Sequence, residues 1–294
     1  MKNRRVHVVL IVATLVVVGI VVSAAGLTSQ GQAPRSKTER TVKMTDRPRP
    51  SETNSSPAFN AAASQNVALR NELIWTFGGK QQTGWHLYDL LIGKTLNADH
   101  DPLSNNFAAS LSKWQKKSGL GSSGVLDENT LMAMISQWQR NRLKIRTPAT
   151  QDELILAPSS DFYDPSRAPE LRQVERKTFE AYKEMIAAAH ADPALKLTLN
   201  DKYFKIISSF RSPEYQEELR RKSPNAGSAG LAVNSPHFTG RALDIYVGGS
   251  PVDTKDANRA IQVNTPAYRW LVRNAERFGF RPYFYEPWHW EYVK

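Results

Sequence analysis

Two short segments carry most of the side chains that could do chemistry in this 294-residue chain. The first reads Ser235-Pro-His-Phe-Thr-Gly-Arg-Ala-Leu-Asp244, and the second, close to the last residue, reads Glu286-Pro-Trp-His-Trp290. Together they offer two imidazoles (His237 and His289) and a carboxylate (Asp244) as a candidate metal set. A second carboxylate, Glu286, stands three residues before the last imidazole. Zinc catalysis needs such a set: three protein ligands, a fourth position open to water, and a base for that water's proton. His237 and Asp244 are too far apart for one helix face, but their spacing suits a loop that runs into a strand. Gly240 would allow the close turn between them. His289 comes from a distant segment, so the fold has to close to build the site.

Both segments resemble the VanY-type D-Ala-D-Ala carboxypeptidases, zinc enzymes that trim bacterial cell-wall peptides. Their signature is S-x-H-x-x-G-x-A-x-D followed by E-x-W-H, and every fixed position is present. The resemblance implies a zinc ion held by His237, Asp244 and His289, with Glu286 as general acid/base. In that frame zinc lowers the pKa of its water to about 7, and the carboxylate takes the proton as hydroxide attacks a peptide carbonyl. A third stretch, Ser208-Ser-Phe-Arg-Ser-Pro-Glu-Tyr-Gln216, is similar to the family's S-G-Y-R-S-x-x-x-Q, with Ser209 for Gly and Phe210 for Tyr. It implies that Arg211 faces the scissile bond and steadies the developing anion. Gln216 and Ser235 are the implied substrate-binding residues.

One position departs from the family pattern. Where members often carry Arg two residues after the last ligand, this chain has Glu291. On a strand Glu291 would share a face with His289, as a rival base or as a partner that orients the imidazole. The motif position, and the extended backbone that Pro287 imposes on the residue before it, assign the base to Glu286. His7, His86, His100 and His190 have no comparable neighbours and receive no catalytic part.

Composition narrows the setting. The chain has no cysteine, which excludes disulfides, thiolate metal ligands and thiol catalysis. Its formal net charge is +11 and its sequence pI about 9.8, which suits an anionic cell envelope. Lys2, Arg4 and Arg5 precede an apolar run from Val6 to Leu27, long enough to span a bilayer. The basic flank should stay inside, so the rest of the chain lies in the periplasm or extracellular wall space, anchored by a single-pass membrane segment at residues 1–27. Cleavage at Ser23-Ala24-Ala25 is the alternative and would release it. Export argues against nucleic acid as a partner.

Residues 28–68, poor in large apolar side chains, read as a disordered linker. Residues 69–143 read as a small all-α domain. Its Phe107-to-Leu120 stretch, with Trp114-Gln115 and Gly119-Leu120, resembles the peptidoglycan-binding domain type 1, which implies a cell-wall glycan partner; the turn after it lacks that family's second glycine. Residues 157–294 read as an α+β peptidase domain, a small antiparallel sheet flanked by helices. Within it a helix is expected from Pro169, with Leu171, Val174, Thr178, Tyr182, Met185 and Ala189 on its apolar face. Strands are expected over Phe204–Phe210, Leu243–Val247 and the final residues. Every assigned site residue falls in 157–294, so the helical module should be dispensable for the zinc site.

The expected function is that of an exported zinc-dependent peptidase acting on peptidoglycan stem peptides, a D,D-carboxypeptidase that removes the terminal D-Ala. An L-Ala–D-Glu endopeptidase and a non-catalytic wall-binding protein are the alternatives. The E-x-W-H form, rather than D-x-x-H, favours the carboxypeptidase, and the intact base and ligand set argues against a non-catalytic role.

Overall fold

Capping side chains and glycine turns cut this chain into short elements. The computed structural model describes residues 59–98, 101–198, 201–224 and 231–294. The expected membrane segment, most of the expected linker and His100 lie outside the described residues. Among those described, no helix is long and apolar enough to cross a membrane.

Helix α1 (Asn60–Glu72) starts within the stretch expected to be linker. It is held by burial of Ala62, Ala63 and Asn66 rather than by large side chains. The Asn66 amide donates to the Gly124 carbonyl (2.9 Å) and accepts from the Leu126 N–H (2.7 Å), satisfying buried backbone 58 and 60 residues away. The next segment corrects the all-α expectation, because strands β1 (Ile74–Phe77) and β2 (Lys80–Thr83) form an antiparallel hairpin. Its turn is Gly78-Gly79, both at positive φ, the conformation that a two-residue hairpin loop demands. Three helices follow: α2 (Asp89–Leu96), α3 (Asn105–Lys117) and α4 (Glu128–Arg140), the last two capped by Ser104 and Asp127. Gln115 of the Trp-Gln pair is buried and bonds Gly124, Val125 and Thr130, so it stitches the α3–α4 turn together.

In the C-terminal part β3 (Leu154–Leu156) pairs with β4 (Gln173–Glu175), and α5 spans Arg176–His190. The helix therefore starts later than expected. Pro169 opens only a 3-10 turn, Val174 sits on β4 opposite Ile155, and Glu175 caps α5 by accepting from the N–H groups of Lys177 and Thr178. Val174 happens to fall in phase with the helical stripe, which is why periodicity alone extends the helix too far. Then come β5 (Ile206–Ser208), α6 (Pro213–Lys222), β6 (Ala242–Ile245), α7 (Asp256–Val263), α8 (Pro266–Asn274), β7 (Phe280–Pro282) and β8 (His289–Tyr292). The expected small antiparallel sheet has the order β5-β6-β8-β7. Its central strand β6 is buried along its whole length.

All described residues belong to one compact unit with one continuous core. Tyr88 and Trp138 of the helical segment meet Phe284 at ring-centroid distances of 5.5 and 6.0 Å. The buried Arg259 on α7 donates to the Tyr88 hydroxyl and to Gln82 on β2. A polar group buried at such a junction is tolerated only when paired, so these bonds tie the hairpin to the C-terminal helices.

Candidate metal centre

The sheet register sets the site. Asp244 on β6 stands opposite Ser208 on β5 and opposite His289 on β8. His237 lies on a 3-10 turn, Pro236–Thr239, which the Ser235 hydroxyl starts by accepting from the His237 N–H. Gly240 ends the turn at φ +66°, and a Cβ there would come within 2.9 Å of the Glu175 nitrogen and the Leu154 side chain. Only glycine lets the chain turn back this tightly into β6.

All three side chains are buried, and their ligating atoms converge. His289 Nδ1 lies 2.9 Å from Asp244 Oδ1; His237 Nε2 lies 3.3 Å from both of those atoms. Bonds of 2.0–2.1 Å to a tetrahedral ion imply ligand–ligand edges of about 3.3 Å, so the donor set fits zinc. The outer nitrogens are occupied as well. His237 Nδ1 is 2.7 Å from the Ser209 carbonyl, so Nδ1–H donates and Nε2 keeps its lone pair for the centre. His289 Nε2 is 3.2 Å from Glu291 Oε1, which frees Nδ1 in the same way.

Electrostatics separate the acids. Burial alone would raise the Asp244 carboxyl, but His237, Arg211 and the hydrogen bonds of both imidazoles hold it well below the usual carboxylate range. Burial and Arg211 push His237 down to about 4. Burial opposes charge on His289, yet hydrogen bonds to Asp244 and Glu291 raise it to about 9 in the metal-free protein. Glu286 goes the other way: burial, helped by the Asp244 charge, pushes its carboxyl up to about 8. For Glu291 burial is outweighed by His289 and Arg142, which bring it down to about 2.

The three residues open onto a cleft of about 610 Å³ whose walls include Glu286, Trp288, Arg211 and Ser235. Arg211 Nη2 grips Asp244 Oδ2 at 2.6 Å, leaving Oδ1 to the centre, and Nε donates to Ser208 at 3.0 Å. Gln216 is not among the cleft-lining residues. Its buried amide accepts from Arg211 Nη1 (3.3 Å) and donates to the Ala232 carbonyl (3.0 Å), so it ties Arg211 to the following loop. Ser235 lines the cleft, but its hydroxyl also starts the His237 turn.

Glu291 does not line the cleft either. It is fully buried behind His289, where Oε1 also accepts from Arg142 Nε (3.1 Å) and Nη2, and Oε2 accepts from the Leu143 N–H (2.9 Å). That geometry sets it against the far nitrogen of His289 and away from the cleft.

Contrary to the expectation that the site is confined to 157–294, Phe77, Gly78, Gln139, Arg142 and Arg146 of the preceding segment also line the cleft. Arg167 is a further wall residue. In a chain this basic, no local pattern distinguishes these arginines from those on the surface.

Comparison with known proteins bears on the C-terminal part. The family model described as VanY, D-alanyl-D-alanine carboxypeptidase, matches residues 171–294. No curated protein matches the chain. Among solved structures it is similar to an LdcB LD-carboxypeptidase, with 24% identity, 51% of this chain and 71% of that one covered, and a TM-score of 0.36. It is also similar to a variant of the vancomycin-resistance D,D-pentapeptidase VanY in complex with Zn(II): 21% identity, 53% and 89% covered, TM-score 0.32. VanYB in complex with D-Alanine-D-Alanine gives 23% identity, 48% and 86% covered, and a TM-score of 0.27. The residues that match the VanY D-alanyl-D-alanine carboxypeptidase family model, 171–294, carry every converging ligand and the buried acid beside them.

Proposed function

We propose that the chain is a zinc-dependent peptidase of peptidoglycan stem peptides, a D,D-carboxypeptidase that removes the terminal D-Ala. The observation that carries this reading is Glu286: a buried carboxyl on the cleft wall, beside three converging ligands and raised to about 8. A group with that pKa can both take and return a proton near neutral pH.

His237, Asp244 and His289 would hold the metal, whose chemistry there is Lewis acidity and an acidified water. Glu286 accepts the proton of the attacking water and returns it to the departing amine. Arg211, fixed by Asp244, Ser208 and Gln216, presents its positive charge where the carbonyl oxygen becomes anionic. Trp288 and the hairpin residue Phe77 narrow the cleft against bulk water.

The cleft charge supports an exopeptidase. Arg146 and Arg167 hydrogen-bond only to backbone carbonyls, and among the described residues neither has a carboxylate within ion-pair distance. Two such guanidiniums suit a peptide that ends in a free carboxylate. Mass spectrometry of purified muropeptides tests the reading. Loss of one D-Ala from a pentapeptide stem is the expected product. Cleavage between L-Ala and D-Glu, or trimming of tetrapeptides alone, would reassign the specificity, and no cleavage with zinc bound would leave a wall-binding protein.

The same reading keeps the chain at the outer face of the membrane through residues 1–27, with residues 69–143 touching wall glycan. The apolar run and the Trp114-Gln115…Gly119-Leu120 pattern support it. The shallow depression lined by Leu120, Ser122 and Asn129 is the face to test, by co-sedimentation of an Asn129→Ala variant with sacculi.

A further inference from the structure

Arg142 belongs to the segment that precedes the family domain, just beyond the end of α4, and nothing in the family match reaches it. Yet every nitrogen of its guanidinium is engaged around the metal centre. Nε and Nη2 both donate to Glu291 Oε1, and Nη1 donates to the Gln139 side chain at 2.8 Å. The guanidinium plane sits 3.9 Å from the centre of the Tyr283 ring, and Tyr283 in turn packs edge-on against His289. The Glu291 oxygen that Arg142 grips is the one 3.2 Å from His289 Nε2. The other oxygen is taken by the Leu143 N–H, so the carboxylate has no freedom to turn away.

We propose that Arg142 is a positioning residue of the metal centre: it fixes the Glu291 carboxylate, and Glu291 fixes the tautomer and plane of the His289 ligand. The inference rests on the metal reading above. Its physical basis is that an imidazole ligates best when its far nitrogen is held by a charged acceptor, which also makes the near nitrogen more basic. Glu291, fully buried, can remain a carboxylate there only because a cation desolvated beside it balances the charge. The helical segment thus completes the site from behind, by way of a relay of Arg142, Glu291 and His289, and does more than carry the domain to the wall.

The test is zinc affinity, measured by competition with a chromophoric chelator, in the whole protein and in its Arg142→Met, Arg142→Lys and Glu291→Gln variants. Fold is checked by near-ultraviolet circular dichroism. Loss of an outer partner of this kind weakens metal binding about ten- to a hundred-fold. Arg142→Met and Glu291→Gln should each show that loss, and Arg142→Lys should recover part of it. The Met/Gln double variant should bind no more weakly than the worse single variant, because the two residues act in one relay. Cobalt-substituted protein gives an independent readout: its visible d–d bands should shift in Glu291→Gln, which keeps the side-chain shape and removes the charge. Should Arg142→Met fail to fold, Glu291→Gln carries the test alone. Unchanged zinc affinity in folded Glu291→Gln, with the wild type binding normally, overturns the inference and leaves the proposed function standing. A wild-type protein with no affinity for zinc overturns both.

Discussion

Glu286 and Glu291 flank the same imidazole, one before it in the chain and one after, and the fold treats them in opposite ways. On the cleft side Glu286 is buried, and among the described residues no cation lies within ion-pair distance of it; burial raises its carboxyl to about 8. On the inner side Glu291 is more deeply buried still, yet Arg142, His289 and a backbone N–H hold it ionised at about 2. Depth alone therefore decides nothing. What distinguishes the two acids is whether the fold delivers a cation to them: one is held protonated and the other ionised.

Exchanging each acid for its amide is the sharpest way to break the comparison. Glu286→Gln should lower kcat/KM on a pentapeptide stem by about a thousandfold, within the range for loss of a general acid/base, and should leave zinc content unchanged. Glu291→Gln should do the reverse, losing metal affinity but regaining much of its rate when zinc is supplied in excess. If Glu291→Gln at saturating zinc is the dead enzyme and Glu286→Gln is active, the roles are inverted.

A smaller effect separates the two arginines with backbone partners only from the two that hold carboxylates. Arg146→Ala or Arg167→Ala should raise KM about tenfold for a stem peptide with a free terminal carboxylate, the size of one lost charge-assisted hydrogen bond. A C-terminally amidated peptide should be affected far less. Equal effects on both peptides would place the free carboxylate elsewhere.

The pH dependence of stability in chelator-treated protein is the smallest effect, a few degrees of Tm. Because the Glu286 carboxyl is raised from 4.5 to about 8, the folded protein keeps a proton that the unfolded chain gives up. That contribution is fully present below pH 4.5 and is lost as pH rises through 8. His289, raised from 6.5 to about 9, acts with the same sign over its own window. His237, lowered from 6.5 to about 4, acts with the opposite sign and offsets Glu286 between pH 4.5 and 6.5. Thermal melts should therefore show Tm falling chiefly between pH 6.5 and 9, and Glu286→Gln should reduce the fall between 6.5 and 8. A slope unchanged by that substitution would show that Glu286 is not held protonated.

Short-range chemistry is what the sequence determined by itself. Ser235, Gly240 and Asp244 dictate a capped turn, a left-handed bend and a strand, because caps and positive φ are local demands. The alternation around His289 made its strand readable, and with it the shared face of His289 and Glu291. The Gly78-Gly79 hairpin was equally local, yet it lies inside residues 69–143, which read as all-α. Helix α1 escaped for a different reason: its buried face is alanine and one asparagine, which carry no amphipathic signal. Tertiary structure alone decided the rest. Residues 149 positions apart, Arg142 and Glu291, became partners because the helical segment packs into the core of the peptidase domain, and no periodicity records a contact of that range. The same packing set the difference between Glu286 and Glu291, since a side chain's charge state depends on which groups the fold brings to it in a low-dielectric interior.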